Sequence, residues 1–79
     1  MTLGEKLRLL RTRERLTQAD ISEATGIKLG TWKGYEYGAR KEVSSNELLK
    51  ASQHPLFIRY TLWLMTGQTA PEAGQISPV

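Results

Sequence analysis

The stretch Leu16 to Gly38, LTQADISEATGIKLGTWKGYEYG, decides the fold. Thr17 is placed to cap a helix with its hydroxyl, Asp20 sits near the positive end of that helix's dipole, and Ile21 with Ala24 supply an inward stripe. Gly26 suits a tight exit at positive φ, and Ile27 plugs the turn. A second helix is predicted from about Lys28 to Tyr37, ending at Gly38.

Two short helices around a glycine turn, with no room for a strand, make a helix-turn-helix unit. At these residues the sequence resembles the phage Cro and repressor proteins, also called the XRE type. The resemblance is carried by Leu16-Thr17-Gln18 opening the first motif helix, Ile21 and Ala24 within it, Gly26-Ile27 in the turn, and Glu36 with Gly38 closing the second. It extends more loosely to about Met65. It implies an all-α, five-helix lambda-repressor-like domain that binds double-stranded DNA and regulates transcription, with the second motif helix as the recognition helix.

A wheel count at 100° per residue divides that helix. Trp32, Tyr35 and Glu36 share one side, where the two rings read as an aromatic core pair. Leu29, Gly30, Lys33, Gly34 and Tyr37 fall on the other. Each interior glycine costs about 1 kcal/mol relative to alanine, so their pairing on the outer side points either to close approach of a partner's backbone or to tolerated weakness. The resemblance places the base-reading positions at Lys28, Leu29, Gly30 and Gly34, with Thr31 and Lys33 beside them. Relatives commonly carry Gln, Ser, Asn or Arg at several of these places, and a Ser or Thr cap where Lys28 stands. Lys28 and Lys33 are suited to guanine O6 or N7, and Leu29 or the Thr31 methyl to a thymine methyl; DNA shape is a second source of discrimination. Phosphate contacts are expected from Gln18, where the family often uses the amide, from Thr17 by a weaker argument, and from Tyr37, Arg40 and Lys41 around the YGARK turn. Arg40 and Lys41 read alternatively as exposed loop cations.

Working outward, a first helix is predicted from about Leu3 to Arg15, opened by a Thr2/Glu5 capping box and faced inward by Leu3, Leu7 and Leu10. Arg8, Arg11, Arg13 and Arg15 read first as a solvated face, with a phosphate-binding surface as the alternative. The resemblance singles out Arg11 as the partner of Glu36 in a structural ion pair tying this helix to the recognition helix. A fourth helix starts after Ser44 or Ser45 and ends near Gln53, and His54-Pro55 breaks it. His54 reads as a junction residue, since no second His, Cys or carboxylate cluster accompanies it. The fifth, Leu56 to about Thr66, is apolar nearly all round. Either it closes a small core, or part of it, with Phe57, Tyr60, Trp63 and Leu64, faces a second protomer. Residues 67–79, GQTAPEAGQISPV, read as a flexible tail, with Ile76 to Val79 able to anchor on a neighbour.

Composition limits the function classes. Seventy-nine residues fit one domain, and below about 80 residues a single core stabilises weakly, so a homodimer is expected. The net charge is +3, or +4 through Met65, where eleven cations face seven acids. That excess suits a polyanion. Without cysteine there is no disulfide, thiolate nucleophile or thiolate metal site. Neither a membrane span nor a signal-peptide segment is evident, so a cytoplasmic protein without a membrane partner is expected. No catalytic constellation, cofactor motif or metal site is found. The expected function is a dimeric repressor acting by operator occupancy. The alternative is an antitoxin or adaptor that binds a small protein partner through the fifth helix and the tail.

Overall fold

The computed structural model describes residues 1–79. Five α-helices follow in order: α1 (Leu3–Arg13), α2 (Gln18–Thr25), α3 (Leu29–Tyr37), α4 (Ser45–Ser52) and α5 (Thr61–Thr66). A 3₁₀ turn over Ile58–Tyr60 leads into α5, and another at Pro71–Ala73 follows it. The fold is all-α; the sole β feature is an isolated bridge between Ala70 and Gln75.

Local chemistry sets most boundaries. The Thr2 hydroxyl accepts from the Glu5 amide at 3.1 Å, but the return bond of the predicted capping box is not formed. Thr17 and Asp20 make both halves: the Asp20 amide donates to the Thr17 hydroxyl at 3.0 Å, and the Thr17 amide to the Asp20 carboxylate at 2.9 Å. Gly26 and Gly38 end their helices at φ 78° and 79°, a region that costs a side chain about 1–2 kcal/mol. Ser44 caps α4 by accepting from the Glu47 amide at 3.2 Å.

Helix α1 stops two residues short of the predicted Arg15. The Leu16 amide donates to the Arg11 carbonyl and the Arg15 amide to that of Thr12, both at 3.1 Å. This is a Schellman ending, with Arg15 at φ 58° in the position glycine usually takes.

The core joins Leu7 and Leu10 of α1, Ile21, Ile27, Trp32, Tyr35 and Ala51 to Phe57, Tyr60, Trp63 and Leu64. Ala24, expected on the inward stripe, is exposed; the short α2 buries Ile21, and Ile27 comes under it after the Gly26 turn. Helix α1 lies close against α3 because Gly4 has no side chain. A methyl group on Gly4 would stand 2.0 Å from the Tyr35 carbonyl oxygen.

The fifth predicted helix is corrected at its start. After Pro55 the chain makes tight bonds, Phe57 N–H to the His54 carbonyl and Tyr60 N–H to that of Phe57, both at 2.8 Å, and α-geometry begins only at Thr61. A 3₁₀ turn repeats every three residues, so Phe57 and Tyr60 point the same way, into the core, and Trp63 and Leu64 follow them. The four residues expected at a dimer interface are therefore buried in their own chain. Exposed instead are Leu49, Ile58 and Met65, lining a groove with Leu62 between α4 and α5.

Residues 67–79, expected to form a flexible tail, fold back on the junction before α5. The Gln75 side chain accepts from the Leu62 amide at 3.0 Å and donates to the Ile58 carbonyl at 3.1 Å, while the Ile76 amide donates to the Arg59 carbonyl at 2.8 Å. Pro78 is buried. One glutamine thus supplies an acceptor to the Leu62 amide in the first turn of α5 and a second donor to the Ile58 carbonyl, which already takes the Thr61 amide. At the other end of α5, Lys6 donates to the carbonyls of Trp63 and Leu64, each at 3.3 Å, with its ammonium 5.3 Å from the Trp63 ring centre.

Candidate nucleic-acid interface

Helix α3 is held from behind by Trp32 and Tyr35, 1% and 3% exposed, and by a carboxylate. The Glu36 side chain is fully covered. It takes Arg11 Nε at 2.6 Å and Arg11 Nη2 at 2.9 Å, the Trp32 indole N–H, and Gln18 Nε2 at 3.2 Å. Arg11 also donates to the Leu16 carbonyl at 2.8 Å. The pair therefore joins α1, the turn after it, α2 and α3.

Burial by itself pushes the Glu36 carboxyl up. Hydrogen bonds from Arg11 and Trp32, the guanidinium charge and the Gln18 amide outweigh that, and the carboxyl titrates below its ordinary value of 4.5. Asp20 is also lowered, chiefly by the Thr17 backbone amide. A folded-state value below the unfolded one gives stability that is present above about pH 4.5 and is lost as pH falls through the folded value. Urea midpoints are expected to stay level from pH 7 to about 5 and to fall below it. Glu36→Gln should remove much of that fall, and an unchanged acid limb in the variant would count against the assignment.

Gln18 is fixed at both ends of its amide, because the Tyr37 hydroxyl donates to Gln18 Oε1 at 3.3 Å while Nε2 is turned to Glu36. The second Nε2 hydrogen remains available to an acceptor. Around it, Arg8, Arg15, Thr17, Gln18 and Tyr37 line a polar cleft of about 340 Å³, with the Arg11–Glu36 pair at its floor. Arg8 and Arg15, read from sequence as a solvated face, thus join Thr17, Gln18 and Tyr37. The spacing of Arg8 from Arg11 is a usable signal, since residues three apart share a helical face; Arg15 reaches the cleft from the turn that ends α1.

On the outer side of α3, Leu29, Gly30, Lys33 and Tyr37 are exposed, and Thr31 and Gly34 partly so. Nothing lies within 4 Å of where a Gly30 side chain would start. Lys28 precedes α3 without capping it. Arg40 packs over Gly34, and Lys41 is exposed in the following loop. Tyr37 belongs both to this outer side and to the basic cleft, and Arg40 packs on the same helix at Gly34.

Residues 2–54 match the family model described as a helix-turn-helix domain. The chain belongs to the helix-turn-helix domain family. It is similar to "Repressor protein C" of Escherichia phage P2, 42% identical over 77 residues that cover 98% of this chain and 77% of that protein. The helix-turn-helix chain is thus a phage-repressor-type DNA-binding regulator and not an enzyme, and α2 and α3 are its motif helices. None of its helices is long and apolar enough to cross a membrane.

Proposed function

We propose that this chain is a repressor that acts in the cytoplasm by occupying its operator as a dimer. The observation that carries the reading is the exposed outer side of α3, held rigidly by Trp32, Tyr35 and Glu36 and flanked by cations. Lys28, Leu29, Gly30, Thr31, Lys33 and Gly34 are the groove-facing residues. Thr17, Gln18, Tyr37 and Lys41, joined by Arg8 and Arg15, take backbone phosphates. The likeness to a phage protein named as a repressor supports repression.

Dimerisation follows from economy of contact. One chain offers a nine-residue recognition helix with two glycines, which supplies few base contacts, whereas two copies about a two-fold axis set two such helices about 34 Å apart, one turn of DNA. The apolar groove of Leu49, Ile58, Leu62 and Met65 is the surface left for the second copy, since Phe57, Tyr60, Trp63 and Leu64 are committed to the core.

Selection of bound duplexes from a random pool tests this reading. A palindromic consensus with half-sites about one turn apart is expected; binding that is insensitive to salt and to sequence would sink it. Arg15→Gly gives a sharper check. Relief of the positive φ should raise stability by up to about 1 kcal/mol, while loss of a phosphate contact should weaken DNA binding and lower the salt slope by about one. Urea unfolding and a salt titration of duplex binding measure the two. Equal binding by the variant would remove Arg15 from the interface.

A further inference from the structure

Helix α3 presents few polar side chains where it would meet base edges, and one residue outside the helix packs on it at Gly34. The Arg40 amide donates to the Gly34 carbonyl at 3.0 Å, anchoring the residue against the last turn of α3. From that anchor the side chain passes over Gly34. A methyl group on Gly34 would lie 3.1 Å from Arg40 Cγ, 3.2 Å from Cδ and 3.5 Å from Nε. Gly34 therefore leaves room for the Arg40 stem, as Gly4 leaves room for Tyr35.

We propose that Arg40 is a base-reading residue, supplied to the outer side of α3 from the loop behind it. The inference rests on the DNA-binding reading above and adds a specificity determinant to it. The side chains of Arg11 and Arg59 are bound within the chain. The Arg40 guanidinium takes part in neither intramolecular ion pair, which join Arg11 to Glu36 and Arg59 to Glu14, and it is exposed. Its planar fork of donors matches guanine O6 and N7 in the major groove. Because the stem is already packed over Gly34, less rotamer freedom is lost on contact than for a free loop arginine. A cation reaching only for phosphate would need neither this path nor a glycine beneath it.

Duplex selection with the intact chain, Arg40→Ala, Arg40→Lys and Gly34→Ala tests the proposal, with thermal unfolding as the check on folding. The wild-type consensus should contain a G·C pair at a fixed place in each half-site. Arg40→Ala should lose preference there by about tenfold or more, with the other positions kept. Arg40→Lys should keep the salt slope and lose most of that preference, because an ammonium has no fork. Gly34→Ala, which displaces the stem, should relax the same base pair without lowering stability. If Arg40→Ala instead weakens all sequences alike and lowers the salt slope by about one, while Arg40→Lys behaves as wild type, Arg40 is a phosphate contact and the proposal fails. A wild-type chain that selects no duplex would overturn the DNA-binding reading together with this one. A wild-type consensus that survives unchanged in Arg40→Ala would overturn this one alone.

Discussion

Glu36→Ala is expected to cost the fold about 3–5 kcal/mol, the range for removing one partner of a buried pair. The loss is large because the carboxylate serves four donor atoms from Arg11, Trp32 and Gln18. Alanine leaves the Trp32 indole N–H in the core without an acceptor, and leaves Arg11, only 14% exposed in its side chain, without its counter-charge. The pair as such adds little net stability, since desolvation offsets most of its attraction. Replacing both members, Arg11→Met with Glu36→Leu, should therefore recover the part of the loss due to the unpaired guanidinium and not the part due to the Trp32 indole, which still lacks its acceptor. A 79-residue domain has roughly 4–12 kcal/mol in total, so Glu36→Gln is the second variant to measure. It keeps a carbonyl for Trp32, loses the charge, and should fall between the two. Urea unfolding decides the matter, and a loss under about 1 kcal/mol in Glu36→Ala would show that α3 is held by its rings alone.

The second large effect is a contrast between two identical substitutions. Gly4→Ala should destabilise by about 3 kcal/mol, the upper part of the usual range for overpacking, because its methyl would stand 2.0 Å from the Tyr35 carbonyl oxygen and 2.9 Å from the carbonyl carbon. Both are backbone atoms, so α1 must move off α3 to make room. Gly30→Ala places the same methyl in open space within a helix and should stabilise by up to about 1 kcal/mol. For a domain of this size 1 kcal/mol shifts Tm by about 4–8 °C, so the two variants should melt well over 12 °C apart. A Gly4→Ala protein that melts with wild type would contradict the packing of α1 on α3. Gly30→Ala should also bind duplex DNA less well despite its greater stability, if the bare backbone there is what meets the partner.

What the sequence conveyed was local or came by resemblance. Thr17, Gly26 and Gly38 marked helix ends because their signals act within a few residues. The rings of Trp32 and Tyr35 fell on one side by simple rotation. The pairing of Arg11 with Glu36 rested on likeness to other proteins, as nothing in the spacing of residues 25 apart identifies it. The Trp32 indole is a further partner of Glu36, and its i, i+4 spacing is carried by the sequence. Features set by distant contacts were not legible. Gly4 looks like an ordinary weak point in a helix until Tyr35 is seen above it. Phe57, Tyr60, Trp63 and Leu64 read as outward-facing in the sequence because an apolar helix with period 3.6 has too many faces for a small core, whereas a 3₁₀ turn of period three points Phe57 and Tyr60 the same way. The tail lacks periodicity, and its order depends on Gln75 meeting two backbone groups that only the folded chain creates.

The side chains that fasten α3, Trp32, Tyr35 and Glu36, are not among those that line its outer surface. On the proposed function, stability and sequence preference are therefore written in separate alphabets on one helix. If the proposed reading holds, exchanging Lys28, Leu29, Gly30, Thr31 and Lys33 as a set should retarget the protein, and a library confined to them should yield folded members far more often than one that touches the buried three.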